Sequence, residues 1–262
     1  MASGSSPSTL VDTAAGVVSL INTINTPTAL PSLFLDLEGV SLCRHGSLSI
    51  LTIHVLAERH TYLVDVHTLG TSAFSVASPD GTTLKTILES PHIAKVFFDV
   101  RNDSDALYAL YGIDLKAVED VQLMENAARP GRRRFVTGLE KTIQAYAPLT
   151  AAQKLAWRAA KERGAALFHP SKDGSYQVFN KRPLDDDIVR YCVNDVQHLP
   201  ALRDKLWGSL GSEWRRRVVE ETEKRVKESQ AATYDPQGDS KKFGPWERPT
   251  PQVEHRLWER IL

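Results

Sequence analysis

Only two cysteines, Cys43 and Cys192, occur in the 262 residues, and neither has a partner at metal-ligand spacing. That scarcity excludes a zinc finger and a disulfide-stapled scaffold, and it predicts two reduced thiols in an intracellular protein. No charge of one sign prevails either, since 32 basic side chains balance 32 acidic ones. A large non-specific nucleic-acid footprint carries an excess of Lys and Arg, so the balance argues against one; an enzyme gripping a short strand end needs few local charges. No apolar run reaches the ~18 residues of a membrane span. The opening MASGSSPSTLVDTAAG has no basic segment leading into an apolar one, so no secretory signal is visible. Internal repeats and a phosphate-cradling glycine loop are also lacking. The expectation is a soluble intracellular protein without membrane association, in nucleus or cytoplasm.

What is present is enough apolar residue, 42%, to bury a sizeable core. The length suits one α/β domain with extensions. Residues 1–9 are small and polar and are expected to be disordered. A domain over 10–210, a C-terminal helix over 211–232 and a flexible tail over 233–262, rich in Pro, Gly, Lys and Asp, complete the expected organisation. The end of that tail, 253–262, has the composition of a short helix that docks or recruits a protein partner.

Apolar spacing predicts a helix over 10–24, then strands over 33–37, 47–56 and 61–66. Their short connections favour antiparallel neighbours. A helix over 82–89 leads to a strand over 94–98. Another helix, 103–111, is closed by Gly112, and an extended segment lies near 117–122. Helices over 138–146, 151–163, 184–206 and 213–230 follow. The fold class is α/β: a mixed sheet, an antiparallel meander followed by βα units, with flanking helices.

Three acidic spots interrupt this pattern. Along a strand, Asp36 and Glu38 point to the same face, where two like charges repel and resist desolvation. A divalent cation offsets that cost; the simpler reading is a strand end whose carboxylates reach water. Asp99, Asp103 and Asp105 sit where a strand gives way to a helix. Helix capping explains such acids, and one can cap while another binds metal. Farther on, Asp185, Asp186 and Asp187 mark a helix start, while Tyr191 and Asp195 fall on one helical face beside Ile188, Cys192 and Leu199. Read singly, each spot has an ordinary explanation. Together, four carboxylates and a hydroxyl make a full set for two-metal phosphodiester hydrolysis.

The order of these motifs resembles that of the DEDD exonuclease superfamily, on a ribonuclease H-like fold. It is most similar to the branch with a tyrosine in its last motif, which includes ribonuclease D and the Werner exonuclease domain. Asp36 and Glu38 match D-x-E; Tyr191 and Asp195 match Y-x-x-x-D. The phrase Asn180-Lys181-Arg182-Pro183-Leu184 resembles the family's R-P-L lead-in. For the middle motif, the family spacing before Gly112 favours Asp103, with Asp105 as the alternative. Asp99 then stands where the family often has Asn, adding a negative charge near the site. Within the superfamily, the chain resembles eukaryotic exonuclease-domain proteins related to Egalitarian, whose members are not all active nucleases.

The resemblance implies that Asp36, Glu38, Asp103 and Asp195 hold two Mg²⁺ or Mn²⁺ ions and that Tyr191 orients the attacking water. A nucleoside monophosphate then leaves the 3′ end of single-stranded RNA or DNA. Leu37, Gly39 and Val40 flank the first motif, where the family meets the terminal nucleotide; Asp99, in the family's Asn position, is counted with them as a substrate-binding residue. Lys172, Tyr176, Lys181 and Arg182 are expected to approach phosphates and stack a base. The run from Arg129 to Arg134 reads equally as a backbone contact or a solvated loop. His169 reads as a turn residue, and Trp157, Trp207 and Trp214 as packing residues. Two other readings share the fold: a weak or inactive nucleic-acid-binding or scaffold protein, and a different metal phosphohydrolase.

Overall fold

A computed structural model describes residues 7–24 and 33–246. Its six strands are β1 (Ser8–Val11), β2 (Leu33–Glu38), β3 (Ile50–Val55), β4 (His60–Asp65), β5 (Lys95–Phe97) and β6 (Val118–Asp120), arranged in one sheet as β1-β4-β3-β2-β5-β6. The β2–β3–β4 meander is antiparallel, with Asp36 opposite Thr52 and Thr52 opposite Leu63. β5 and β6 add in parallel beside β2 through helical crossovers. The expected mixed α/β sheet is what the chain adopts.

The helices are α1 (Ala14–Ile24), α2 (Val66–Leu69), α3 (Ser72–Ser75), α4 (Leu84–Glu89), α5 (Arg101–Tyr111), α6 (Val121–Ala128), α7 (Leu139–Tyr146), α8 (Ala151–Phe168), α9 (Asp186–Val196), α10 (Leu199–Ser209) and α11 (Ser212–Gln230). Alternation along β2 divides the core. Leu33, Leu35 and Leu37 pack with Leu20 and Ile21 of α1, Ile87 of α4 and Leu107 of α5. Phe34, on the opposite face, meets α6 and α10 through Val121, Met124, Leu199 and Leu202. Next to it, Ile50 and Leu63 pack beneath Ile188, Tyr191 and Cys192 of α9. Asp36 and Glu38 belong to this second face and thus look toward α9.

Four expectations need correction. Residues 8 and 9 are not disordered: β1 pairs in parallel with β4, and Ser8 and Thr9 lie opposite Thr61 and Tyr62. The helix read over 184–206 is two, because Pro200, lacking an amide hydrogen, cannot donate to Val196; α9 ends and α10 restarts at Leu199. The short α2 and α3 and the whole of α6 went unread. The segment 233–246 is not a free tail. Tyr234 donates to Asn102 Oδ1 at 2.8 Å, and Lys241 Nζ donates to the same oxygen at 2.6 Å. Phe243 stacks on Phe135 with ring centroids 5.3 Å apart. The helix expected over 253–262 lies outside the described residues.

The loop before α9 is anchored by an ion pair. Arg182 Nε donates to Asp65 Oδ2 at 2.5 Å, and its second nitrogen reaches Oδ1. Asp65 is buried and also caps α2 by accepting from Thr68. Arg182 is therefore committed to the fold and does not present a free guanidinium to a phosphate, contrary to the sequence expectation. Removing one member of such a pair leaves a buried charge uncompensated. Arg182→Met is expected to lower stability by roughly 3–5 kcal/mol in urea unfolding, whereas a change within 0.5 kcal/mol, as at ordinary surface sites, would disprove the anchor.

Lys95 on β5 is fully buried, and its ammonium donates to the carbonyls of Ser90 at 2.6 Å and Ile87 at 3.3 Å at the end of α4. Burial pulls its pKa down to about 7. Between that value and the ordinary lysine range near 10.4, the unfolded chain binds more protons than the folded one, so stability rises with pH there. The expected gain between pH 7 and 10 is on the order of 3 kcal/mol. Denaturant titrations at stepped pH should show the rise in the wild type and its flattening in Lys95→Met; equal slopes would contradict it.

Candidate active site

Asp36 and Glu38 come from β2, and α9 crosses above them to bring in Asp195. One carboxylate oxygen from each of the three lies within 4.8 Å of the others. Asp195 is buried, while Asp36 and Glu38 keep part of their surface open. Loss of water, reinforced by the charge of Asp195, lifts Asp36 to about 7. Desolvation and then the charge of Asp36 raise Glu38 and Asp103 well above the usual carboxylate range. Asp195 rises as well, through desolvation, against the opposing pull of Lys161. Burial and the neighbouring carboxylates push the Tyr191 phenol strongly upward, so it stays protonated.

The long helix α8 frames Tyr191. Trp157, Lys161, Gly164 and Phe168 form a stripe at helical spacing that faces α9. Trp157 Nε1 donates to the Asn194 carbonyl at 3.2 Å, and Phe168 meets the Tyr191 ring edge-on at 5.0 Å. A Cβ on Gly164 would lie 2.6 Å from Tyr191 Cβ, so only glycine lets the two helices close here. Lys161 Nζ bonds both carboxylate oxygens of Asp195 and sits 3.8 Å from the centroid of the Tyr191 ring. Sequence reading missed Lys161 and Gly164. The stripe does not stand out in the sequence, because alanine and leucine fill most of the rest of α8.

The middle motif resolves in part. Asp103, in the first turn of α5, is buried and close enough to Asp36 and Glu38 for their charges to interact, yet it stands outside the tight group of three. Asp105 is turned elsewhere: its carboxylate accepts from the Arg44 amide at 2.8 Å and from Arg44 Nε at 2.6 Å. Asp99 has φ +66, a left-handed conformation that Asp and Asn tolerate better than other residues with a Cβ. Its expected extra negative charge is offset by Arg101 at 2.5 Å and Arg225 at 3.6 Å.

The expected substrate contacts fare unevenly. Leu37 lies between the two carboxylates in sequence, but strand alternation sends its side chain into the opposite core, leaving only its backbone on the site. Gly39 is set by a close approach, since a Cβ there would lie 1.9 Å from the Ser47 carbonyl oxygen. Val40 is half-buried and its carbonyl accepts from the Ser47 amide at 3.0 Å. Tyr176 is part-exposed and packs on Phe168, with ring centroids 5.7 Å apart, at the edge of the cluster beneath α9. Lys172 and Lys181 are exposed and, among the described residues, form no ion pair. In the basic run, Arg129 pairs with Glu125, and Arg133 lies over the Trp214 ring at 4.5 Å. His169 serves its turn by accepting from the Ser171 amide.

The donor set suits a hard divalent cation. It is all oxygen, it concentrates like charges that repel in its absence, and it remains partly open. Thr52, opposite Asp36 on the same face, adds a buried hydroxyl without a hydrogen-bond partner.

A family profile described as 3'-5' exonuclease matches residues 10–210. Over 88 residues the chain is 40% identical to the piRNA biogenesis protein EXD1 of Mus musculus, a stretch that covers 34% of this chain and 14% of that protein. The fold superposes on RNase D of Trypanosoma brucei in complex with GMP with a TM-score of 0.71 and 22% identity, over 91% of this chain and 69% of that one. It superposes on the same enzyme in complex with RNA U12 with a TM-score of 0.68 and 20% identity, over 96% and 79%. At these identities the structural likeness establishes the fold, and the profile spans the sheet from β2 to β6, α9 and its Asp195. The chain belongs to the 3′→5′ exonuclease family, on a ribonuclease H-like fold.

Proposed function

We propose that the chain hydrolyses phosphodiester bonds at the 3′ end of single-stranded nucleic acid, releasing nucleoside monophosphates, with two Mg²⁺ or Mn²⁺ ions. The observation that carries this reading is the convergence of Asp36, Glu38 and Asp195, from a strand and a helix far apart in sequence, with Tyr191 one helical turn from Asp195 on the same helix. Asp36, Glu38 and Asp195 would hold the ions, with Asp103 contributing from α5. When bound, such ions neutralise charge on the scissile phosphate and acidify a water. Tyr191, protonated throughout the neutral range, positions that water by hydrogen bonding and does not serve as its base. Gly39 and Val40, with the backbone of Leu37, border the place for a terminal nucleotide, and Lys172 and Lys181 are free to approach phosphates. RNA is the preferred strand in this reading, by the likeness to a piRNA biogenesis protein and to an RNase D solved with RNA.

A second reading, a nucleic-acid-binding or scaffold protein of weak or no activity, draws on Lys161, whose ammonium already neutralises Asp195. Incubating 5′-labelled single-stranded RNA and DNA with Mg²⁺ or Mn²⁺ separates the two. A ladder of shortened products that disappears in Asp36→Ala/Glu38→Ala is expected; intact oligonucleotide that is nevertheless bound would establish the second reading.

Crowded carboxylates also have a stability signature. The folded pKa of Asp36 lies above its unfolded value, so the metal-free protein binds more protons when folded and loses stability as pH rises from about 4 to 7. Asp36→Asn should therefore stabilise the metal-free protein at pH 7.5 by on the order of 2 kcal/mol. The same substitution should abolish the rise in Tm that Mn²⁺ gives the wild type. Thermal scans with and without Mn²⁺ check both; a destabilised Asp36→Asn would count against the crowding argument.

A further inference from the structure

We propose that Lys161 is a tethered counter-cation at Asp195 that a divalent ion must displace, so that the candidate site neutralises itself when metal is scarce. The inference rests on the metal-binding reading of Asp36, Glu38 and Asp195 and adds a residue that this reading leaves without a role.

Lys161 Nζ bonds both oxygens of Asp195, the atoms through which that residue would reach an ion. Its charge is also felt at Asp36 and Glu38, where it opposes the rise caused by burial and repulsion. An ammonium in that place and a divalent ion among the same carboxylates would be like charges only a few ångströms apart, repelling strongly in a partly desolvated site. They exclude each other.

The surroundings fit a displaceable group. Lys161 rises from the middle of α8, whose neighbouring turns are pinned by Trp157 on the Asn194 carbonyl and by Gly164 against Tyr191. The backbone is held while the four-carbon stem keeps its rotamer freedom. The side chain is 19% exposed, so a path to water remains. Its resting place over the Tyr191 ring contributes a cation–π contact, which ties the position of the ammonium to the residue that orients water. One ammonium offsets one of three carboxylates, so the site is quieted without being saturated.

Calorimetric titration of Mn²⁺ into the metal-free full chain tests the displacement, comparing the wild type with Lys161→Met and Lys161→Arg. Lys161→Met is expected to bind Mn²⁺ about tenfold more tightly, equivalent to ~1.4 kcal/mol, while its metal-free Tm falls and its Mn²⁺-saturated Tm does not. Lys161→Arg should stay near the wild type. Equal or weaker Mn²⁺ binding by Lys161→Met overturns the displacement and leaves the metal reading standing. Absence of Mn²⁺ binding in all three proteins overturns both. Should Lys161→Met fail to fold by circular dichroism, Lys161→Gln, which keeps a donor but no charge, carries the same comparison.

Discussion

Repulsion among buried carboxylates is the constraint around which the structure is arranged. A strand as apolar as β2 would pack well with leucine at positions 36 and 38. Instead it carries two acids, and α9 brings a third against them. Such a cluster persists only if the rest of the fold holds it in place. Two apolar faces fix β2 in the middle of the sheet, and a stripe of Trp157, Gly164 and Phe168 fixes α8 against α9. The ammonium of Lys161 relieves part of the charge. Stability is given up locally so that the site can accept positive charge from outside.

A second acidic layer behind the site is handled differently. Asp120 is fully buried at the end of β6, accepts from the amide of Asp99 at 3.0 Å and pairs with Arg225 at 2.7 Å. Asp99 is shared by Arg101 and Arg225, and Asp105 by Arg44. These carboxylates have permanent guanidinium partners, whereas Asp36 and Glu38 have none among the described residues. The contrast separates structural acids from those left available for chemistry, and it explains why three acids in seven residues at the start of α5 do not all serve one purpose.

Much of this was legible in the sequence because it was local. Alternation along 33–38 announced β2 and placed Asp36 and Glu38 on one face; spacing placed Tyr191 and Asp195 together on α9. What was missed depends on distant partners. β1 is four residues long, and its evidence is the edge of β4 some fifty residues later. α6 buries Gln122, Glu125 and Asn126, so its polar residues disguise its apolar period. Arg182 read as a phosphate contact because nothing nearby revealed Asp65, and Lys161 passed without a reading because Asp195 lies thirty-four residues on. Long-range pairing of charges is what a one-dimensional pattern conceals.

The guanidinium of Arg225 reaches back from α11 to Asp120 and Asp99, and Arg44 binds the carbonyls of Ser229 and Ala231 while holding Asp105. The family profile stops at residue 210, but Arg225, which balances Asp120 and shares Asp99, lies beyond that point. The border of the profile is therefore not the border of the fold. An expression clone cut at residue 210 would keep every residue proposed for catalysis and still lose Arg225, leaving the buried carboxylate of Asp120 behind them without its ion-pair partner.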